Sequence, residues 1–412
     1  MAGAYREAIM SDSVQRRDWI SGIRLRAAGA ALTLVVVLVV GVVAGQSSQA
    51  QTFTVLYNFT GAPDGASPFA GVTRDAAGNL YGTTYTGASS GYGVVFKVGK
   101  SGTESVLYSF NGGTDGGSPV GGLVRDTAGN LYGTAEYGGS SGNGVVFKVD
   151  KSGAETVLHS FSGGTADGCS PDGGLVRDKA GNLYGTTMGC GVSGNGIVFK
   201  VTKRGAEKLL HSFAGGKADG ANPLYTSLLM DMKGNLYGVT SQGGSQNSGV
   251  VYKLSQSGKL TVLHSFAGGT TDGCSAHGTP AMDKAGNLYG TTSRCGSGNH
   301  GIVWKVSKKG AETVLFNFTG GSSDGANPIA GVVLDAQGNF YGNTQAGGAS
   351  DDGTVFELST KGVLTLLHTF DGSDGATPYG RIIRDAKGNV YGTTLEGGNV
   401  MGSYGTVWKL TP

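Results

Sequence analysis

The residues whose types and spacing most directly predict chemistry are the four cysteines of this 412-residue sequence. Cys169 and Cys190 are 21 positions apart, and Cys274 and Cys295 repeat that separation. Both pairs occupy equivalent places in an internal repeat, in two loops that we expect on the same face of the fold. Because an even number of cysteines in an exported chain is typical of disulfides, we predict the pairs Cys169–Cys190 and Cys274–Cys295.

A zinc site is the alternative for the second cysteine pair. Two histidines stand nearby, in the spacings Cys-x2-His277 and Cys-x4-His300, and such a donor set suits tetrahedral zinc. The first cysteine pair has Asp172 and Asn195 at the two histidine positions. Its cysteines therefore function without histidines, so disulfides are favoured and no metal is assigned to the cysteines. His277, His300 and the adjacent Arg294 are kept as candidate binding residues.

Acidic residues supply two further sets of candidates. An Asp-Gly step recurs in seven loops, where the favoured interpretation is a turn and the alternative is a ring of carboxylates that binds Ca²⁺. Calcium is the one cofactor that the sequence leaves possible. The seven residues are Asp64, Asp115, Asp167, Asp219, Asp272, Asp324 and Asp374. Acidic residues outside the repeated positions are candidates for binding in a central channel, and they are Glu136, Asp172, Asp351, Asp352 and Glu396.

Catalytic motifs are missing from the sequence. It contains no H-E-x-x-H and no Walker A segment, and no residue is assigned a catalytic role. Four of the six histidines, at positions 159, 211, 264 and 368, stand where other repeats have Tyr or Phe. We interpret these four as packing substitutes rather than as a site.

The elements that must position these residues come from a repeated segment, D-x-x-G-N-L-Y-G. Seven copies begin at Asp75, Asp126, Asp178, Asp231, Asp283, Asp335 and Asp385. The steps between copies are 50 to 53 residues. A fixed period of this length is the mark of a repeat architecture, which favours one domain over the two or three that the length alone suggests.

Each repeat contains four short β-prone runs bounded by Gly, Asn, Asp and Ser. In the second repeat we place them at Gly122–Asp126, Leu131–Ala135, Val145–Val149 and Thr156–Phe161. Four antiparallel strands per unit and seven units predict an all-β fold, a seven-bladed β-propeller. An open β-solenoid is the alternative.

The two ends of the repeat region favour a closed ring. The last repeat stops after three strands, at Thr406–Leu410. The segment Thr52–Phe59 matches the missing fourth strand. We therefore predict that an N-terminal strand completes the seventh blade, within a propeller domain at residues 51–412.

Residues 1–50 differ in composition from the repeats. Four arginines precede an apolar run from Ala27 to Ala44, and small residues stand at positions 48 and 50. This pattern predicts a signal peptide cleaved after Ala50, with an uncleaved membrane anchor as the alternative. Without this segment the 31 basic and 29 acidic residues of the chain become 26 of each. A net charge of zero argues against nucleic acid and against an anionic membrane as partners.

The repeat resembles a known bacterial family. The resemblance covers residues 52–412 and rests on G-L-V-R-D-x-A-G-N-L-Y-G, G-V-V-F-K-V and V-L-H-S-F-x-G-G-x-D-G. These segments are similar to the GloVer tandem repeat of choice-of-anchor proteins, which implies export and an anchor but no established activity. We expect no anchor at the C-terminus here. The D-x-x-G-N-L-Y hairpin also resembles those of NHL, SMP-30/gluconolactonase and streptogramin-lyase propellers, which implies fold and not catalysis.

Three classes of function are compatible with these observations. The favoured class is an extracellular, periplasmic or cell-surface binding module for protein or glycan, with the chain expected to be a monomer. The second class is a propeller-type lactonase, lyase or glycan-active hydrolase with its site in the central channel. The third class is a structural component of the envelope.

Overall fold

Turn residues divide the chain into short strands throughout. The computed structural model describes residues 51–399 and 401–412, so the predicted signal peptide lies outside the described residues. All regular elements of the described part are β-strands. In chain order they are β1 Thr52–Asn58, β2 Thr73–Arg74, β3 Leu80–Thr83, β4 Val94–Val98, β5 Glu104–Ser109, β6 Val124–Arg125, β7 Leu131–Ala135, β8 Val145–Val149, β9 Glu155–Ser160, β10 Gly168–Cys169, β11 Val176–Arg177, β12 Leu183–Thr187, β13 Gly189–Cys190, β14 Ile197–Val201, β15 Glu207–Ser212, β16 Gly220–Ala221, β17 Leu229–Met230, β18 Leu236–Thr240, β19 Gln242–Gly243, β20 Val250–Leu254, β21 Leu260–Ser265, β22 Gly273–Met282, β23 Leu288–Cys295, β24 Ile302–Val306, β25 Glu312–Asn317, β26 Val333–Leu334, β27 Phe340–Thr344, β28 Thr354–Leu358, β29 Leu364–Thr369, β30 Ile383–Arg384, β31 Val390–Thr394 and β32 Thr406–Thr411.

Seven four-stranded antiparallel sheets form the blades. The first two blades are β2–β5 and β6–β9, followed by β11-β12-β14-β15 and β17-β18-β20-β21. The last three are β22–β25, β26–β29 and β30-β31-β32-β1. Two small sheets, β10–β13 and β16–β19, join loops in blades three and four. The predicted seven-bladed propeller is confirmed.

The N-terminal strand closes the ring as expected. β1 pairs antiparallel with β32, from Thr52 opposite Thr411 to Asn58 opposite Thr406. Blade seven therefore takes its outermost strand from the start of the repeat region. Joining the two ends of the chain in one sheet covers the edge of β32, which would otherwise be unpaired.

The repeated Asp organises the first hairpin of every blade. In blade two, the Asp126 carboxylate accepts hydrogen bonds from the Asn130 backbone N–H at 2.9 Å and from its side-chain amide at 2.8 Å. The Tyr132 hydroxyl donates to the same carboxylate at 3.0 Å. The D-x-x-G-N-L-Y segment is thus a self-bonded turn, in which the positive φ of Gly129, 94°, is one that glycine adopts readily.

The core lies between neighbouring blades. At each junction a fully buried Phe meets the edge of an aromatic ring in the next blade, as Phe59 meets Phe96 with ring centroids 5.0 Å apart. Edge-to-face pairs of this kind add to the gain from burial. The opposite side of the Phe96 ring lies against Gly82, where an added Cβ would approach the ring to 2.5 Å. This close approach explains the glycine of the L-Y-G segment.

The innermost strands are shorter than predicted. Blade two has Val124–Arg125 where the sequence suggested Gly122–Asp126. The preceding glycines run close to the same segments of other blades, and a Cβ on Gly71 would lie 1.9 Å from the Arg381 carbonyl oxygen. Blade five is the exception, with the ten-residue strand Gly273–Met282. Ala276 replaces the usual loop proline there and pairs with Thr292, a position where proline would supply no N–H.

In the described part of the chain, no helix has the length and apolar character needed to cross a membrane.

Candidate functional site

A central cavity of about 280 Å³ is lined by all seven blades. Its walls are the segments that lead into the innermost strands. Most of these residues are small or apolar, such as Gly121, Ala330 and Ile329. The segments come close together because they carry glycine or another small residue next to the axis. This cavity is the central channel that the sequence analysis expected.

Two charged side chains face this cavity. Asp172 comes from blade three and Arg381 from blade seven. Arg381 is the unusual member of its repeat position, which holds glycine, serine or threonine in the other six blades. The Arg381 guanidinium donates to the Val332 carbonyl oxygen at 3.2 Å, while its buried Nε has no hydrogen-bond partner. Desolvation lowers the pKa of Arg381 to about 10, so the side chain is still a cation at neutral pH.

Three aromatic rings cover the loop end of the channel. Phe69 lies 4.2 Å from Tyr379 and 5.2 Å from Tyr225, measured between ring centroids. The rings of Tyr225 and Tyr379 meet edge to face at 5.3 Å. Because Tyr225 belongs to blade four and the other two to blades one and seven, these contacts cross the axis. We call Phe69, Tyr225 and Tyr379 the aromatic cap.

An inserted residue places Tyr225 in this cap. The interval from the loop Asp to the hairpin Asp is 11 positions in blade one, from 64 to 75, but 12 in blade four, from 219 to 231. Tyr225 has φ of 52°, a left-handed conformation that is rare for a bulky side chain. Its backbone N–H donates to Asp172 Oδ2 at 3.0 Å. The carboxylate of blade three therefore holds the strained turn of blade four.

The second oxygen of Asp172 has no hydrogen-bond partner among the described residues. Asp172 is 3% exposed, and its Oδ1 is buried without a hydrogen-bond partner. Burial, with a smaller contribution from the nearby charge of Glu136, raises the pKa of Asp172 to about 7 against the lowering effect of the Tyr225 amide. The carboxyl group thus exchanges its proton near neutral pH. A buried acid of this kind is either an acceptor or a donor, as the ligand requires.

His277 lies beside the aromatic cap. Its Nδ1 donates to the Leu224 carbonyl oxygen at 3.2 Å, and its ring centroid is 6.3 Å from that of Tyr225. Burial lowers the pKa of His277 to about 4, opposed by this hydrogen bond. The imidazole is therefore neutral at pH 7, with its proton on Nδ1 because a carbonyl oxygen only accepts. This interaction fixes the turn that carries Tyr225.

Further polar and aromatic groups extend the surface around the mouth. Tyr137 is 45% exposed. Its pKa is raised by the charge of Glu136 and by a hydrogen bond with Tyr85. Tyr85 in turn lies 5.9 Å from Phe69, between ring centroids. Glu136, whose own pKa is raised by desolvation, interacts electrostatically with both Tyr137 and Asp172.

The structure separates the other predicted binding residues from the channel. Asp351 accepts from the Gly347 backbone N–H at 2.7 Å inside its own loop. Arg294 and Glu396 are exposed, and neither lines the cavity. Of the eight candidate binding residues, Asp172 alone lines the cavity, with His277 and Glu136 next to it.

His300 and Asp352 share a packing position. Each lies over a glycine of the next loop, and an added Cβ on Gly320 would come within 2.5 Å of the His300 ring. Asp352 lies in the same way over Gly372. Equivalent residues in the other blades do this with Tyr, Asn or Ser, namely Tyr92, Asn143, Asn195, Ser248 and Tyr404. The two side chains therefore shield loop backbone.

The cysteines form the two predicted disulfides. Cys169 and Cys190 are joined with Cα atoms 5.3 Å apart, and Cys274 and Cys295 with Cα atoms 5.4 Å apart. The zinc alternative for the second pair is wrong in this structure, because both sulfurs are consumed and the two histidines lie elsewhere. In blade three the disulfide ties the segment before the innermost strand to the segment after the second strand. In blade five both cysteines lie within the two corresponding strands, β22 and β23.

The seven loop carboxylates each bond to their own loop. In blade one, Asp64 accepts from the Thr60 backbone N–H at 3.0 Å and from the Tyr57 hydroxyl at 2.6 Å. These contacts explain the Asp-Gly step as a turn, and the calcium interpretation stays a prediction. The histidines interpreted as packing substitutes also bond here, since His211 Nε2 lies 3.0 Å from Asp219 Oδ2. They replace the tyrosine hydroxyl as well as its ring.

Sequence reasoning missed the aromatic cap and Arg381. The available signal was the position after the loop proline, which varies among copies of an otherwise regular repeat. That position holds Phe69, Val120, Asp172, Ile329 and Tyr379 in five blades. The rest of the repeat is regular, whereas the side chain at this position varies among the blades and lines the axis. This variation indicates a role in binding rather than in folding.

The repeats of this chain match a known family model. The model of the Gloeobacter/Verrucomicrobia repeat matches residues 40–228 and 223–412. The chain belongs to this repeat family. The GloVer resemblance of the sequence is thereby confirmed. No curated protein matches the chain.

The solved structures that are similar to this chain are distant from it in sequence. The extracellular domain of a putative one-component system from B. thetaiotaomicron has a TM-score of 0.55 at 10% identity, covering 86% of this chain and 39% of that one. A gluconolactonase from Xanthomonas campestris has a TM-score of 0.44 at 15% identity, covering 84% of this chain and 98% of that one. A putative 6-phosphogluconolactonase from Bacteroides uniformis has a TM-score of 0.47 at 16% identity, covering 76% and 88%. At these identities the likeness concerns the fold alone.

Proposed function

We propose that this protein is an exported binding module that recognises a glycan at the loop end of its central channel. The observation that carries the proposal is the aromatic cap, Phe69, Tyr225 and Tyr379, which stands next to the partnerless oxygen of Asp172. A sugar ring offers an apolar C–H face and a rim of hydroxyls. Aromatic faces match the first, and a buried carboxyl oxygen matches the second.

The surroundings of the cap support an oligosaccharide rather than a single sugar. Tyr85 and Tyr137 continue the aromatic surface outward from Phe69. Tyr137 keeps 45% of its surface exposed, so its ring is available to a ligand. Tyrosine presents an apolar body with a polar tip and therefore suits a partly wet interface.

Export is supported by the cysteine chemistry. Two disulfides in one chain are typical of proteins that mature in an oxidising compartment. The periplasm, the cell surface and the medium all provide such conditions. An extracellular glycan is a ligand that a protein in any of these places encounters.

Array binding with matched variants tests the proposal. Purified protein is applied to a broad oligosaccharide array, and the best hit is titrated by calorimetry. We expect Tyr225→Gly and Tyr137→Ala each to weaken binding by about fivefold to thirtyfold, since each removes one aromatic contact worth about 1–2 kcal/mol. Glycine is chosen at position 225 because it accepts the φ of 52° without strain.

The control variant is Met232→Ala. Met232 is fully exposed and lies in the D-x-x-G-N-L-Y hairpin of blade four, away from the cap. We expect it to bind as the wild type does. An array without hits, or equal losses in Met232→Ala and Tyr225→Gly, would remove the support for glycan recognition at the cap.

A glycan-active hydrolase is the second candidate function. It is favoured by one observation, the pKa of about 7 at Asp172, which leaves a proton available for transfer near the channel mouth. Release of reducing ends from an array hit, abolished by Asp172→Asn while binding persists, would establish this function. Binding without turnover assigns Asp172 to recognition.

A further inference from the structure

The junctions between neighbouring blades repeat three equivalent positions. They are the penultimate residue of one outer strand, the Asp of the following Asp-Gly loop, and the residue near the start of the next outer strand. Two junctions combine His, Asp and Glu at these positions. They are His159, Asp167 and Glu207 between blades two and three, and His264, Asp272 and Glu312 between blades four and five.

The other five junctions lack at least one member of this set. Two have a tyrosine with the Asp and Glu, one has histidine with leucine, one has phenylalanine with leucine, and one has histidine with phenylalanine. In the same order they are Tyr57/Asp64/Glu104, Tyr108/Asp115/Glu155, His211/Asp219/Leu260, Phe316/Asp324/Leu364 and His368/Asp374/Phe53. The fold is therefore built without the His-Asp-Glu set at most junctions.

The set between blades four and five has the geometry of a metal site. Ligand atoms of His264, Asp272 and Glu312 all lie within 4.8 Å of one another. His264 Nε2 lies 3.3 Å from Asp272 Oδ2. Two ligands about 2.1 Å from a tetrahedral zinc ion lie roughly 3.4 Å apart, so this pair is already at ligand spacing.

Glu312 adds a carboxylate oxygen with no partner. Its Oε1 is buried and accepts no hydrogen bond. The equivalent Oε1 atoms of Glu104, Glu155 and Glu207 are also buried without a partner, so this oxygen favours a cation only together with a neighbouring imidazole, which His264 supplies here.

The remaining two ligands are held in place. Asp272 accepts from the backbone N–H groups of Ala267 at 2.7 Å and Gly273 at 2.6 Å. The His264 ring meets Phe266 edge to face at 4.9 Å. Contacts of this kind orient the ligands of a metal before it binds.

The disulfides coincide with the His-Asp-Glu junctions. Asp167 is followed two residues later by Cys169, and Asp272 by Cys274. Each of these cysteines ties its loop to a second loop of the same blade. The two loops that carry the complete set are thus the two that are covalently fixed, which reduces the entropy cost of holding an ion.

We propose that His264, Asp272 and Glu312 bind a Zn²⁺ ion between blades four and five. One imidazole nitrogen and two carboxylate oxygens are a donor set that zinc accepts, with a fourth position open to water. The ion links the outer strand of blade four to the outer strand of blade five. It therefore acts on the stability of the ring and is independent of the glycan site.

The proposal is tested by measuring the zinc content of the variant His264→Tyr against that of the wild type. The junctions with Tyr57 and Tyr108 already carry tyrosine at this position, with the hydroxyl bonded to the loop Asp. The variant therefore keeps the hydrogen bond and loses only the metal ligand. Purified proteins are stripped with a chelator, titrated with ZnCl2 and dialysed, and their zinc content and melting temperature are measured.

The matched control is His368→Tyr. His368 also bonds its loop Asp, with Nε2 2.7 Å from Asp374 Oδ2, but Phe53 takes the place of the glutamate and stacks on the imidazole at 3.6 Å. We expect zinc to raise the melting temperature of the wild type and of His368→Tyr, and His264→Tyr and Glu312→Leu each to lose one equivalent of zinc.

Three results would overturn the zinc site. The first is a wild-type protein that retains no zinc after dialysis. The second is a His264→Tyr variant with the zinc content of the wild type. The third is a His368→Tyr variant that loses as much zinc as His264→Tyr does.

Discussion

Tyr225 and Asp172 show how one residue position was adapted within a regular repeat. Blade four has an extra residue, and Tyr225 takes the left-handed conformation that brings its ring over the axis. Asp172, three residues after Cys169 in blade three, supplies the acceptor for the strained amide. Conformational strain of this kind costs about 1–3 kcal/mol and persists where its surroundings hold it. The pair therefore links recognition in one blade to support from another.

The Asp172→Asn variant tests how the stability of the fold depends on the protonation of this single residue. The pKa of Asp172 is raised by burial, so the folded state binds its proton more tightly than the unfolded state does. Its ionisation therefore destabilises the fold as the pH rises from about 4 to 7. We expect Asp172→Asn to match the wild type in melting temperature at pH 4.5 and to exceed it at pH 8, measured by calorimetry.

Asp172→Ala serves as the comparison for that experiment. It also removes the acceptor for the Tyr225 amide, so we expect its free energy of unfolding to be about 1–2 kcal/mol below that of Asp172→Asn at both pH values. A wild type and an Asp172→Asn variant with parallel pH profiles would contradict the raised pKa.

At the scale of the elements, blade four contains the same loop pairing as blade three but has no disulfide in it. The short sheet β16–β19 places Ala221 and Gly243 where the corresponding sheet of blade three, β10–β13, has Cys169 and Cys190. Cys190 has φ of 64°, a conformation that suits the glycine of blade four better than a cysteine. The loop pairing thus forms without a covalent link, and the disulfide adds stability to it.

The double variant Cys169→Ala/Cys190→Gly tests how much the disulfide of blade three adds to stability. It copies blade four, so we expect the same fold with a free energy of unfolding lower by about 3 kcal/mol, the value for a closed loop of this length. Denaturant unfolding under non-reducing conditions measures the difference. Equal midpoints for variant and wild type would show that this cross-link does not constrain the unfolded chain.

At the scale of the whole molecule, ring closure depends on β1. The strand Thr52–Asn58 supplies the outer edge of blade seven, and Phe53 packs near Trp408 and Phe370. We expect deletion of residues 51–58 to expose that edge, lower the melting temperature and cause self-association, as seen by calorimetry and light scattering. Gln51→Ala, which changes an exposed residue next to the strand, is the control. A deletion variant that stays monomeric with an unchanged melting temperature would contradict closure by β1.

The fold could be predicted from the sequence because its signals are local and repeated. Asp126 and its equivalents fold their own hairpins, and the match of Thr52–Phe59 to a missing strand follows from the repeat alone. The cysteine pairing followed for the same reason. The strand bounds near the axis differed, because the crowding of Gly71 against Arg381 is a contact between blades one and seven, which no local pattern contains.

The candidate site could be predicted only in part. Asp172 and His277 were candidates from the sequence, and the structure brings both to the channel mouth. The aromatic cap was missed because its three members come from blades one, four and seven and meet only across the axis. The ligand pair His264 and Asp272 was missed because a strand residue that substitutes for tyrosine was interpreted as packing alone.

The most direct measurement is a crystal structure of the protein with the tightest-binding oligosaccharide from the array. The account predicts that a sugar ring stacks on the aromatic cap, with one hydroxyl within hydrogen-bond distance of Asp172 Oδ1. A sugar bound on the outer strands or on the hairpin face, with the cap and Asp172 untouched, would contradict the assignment of the loop end of the channel as the recognition site.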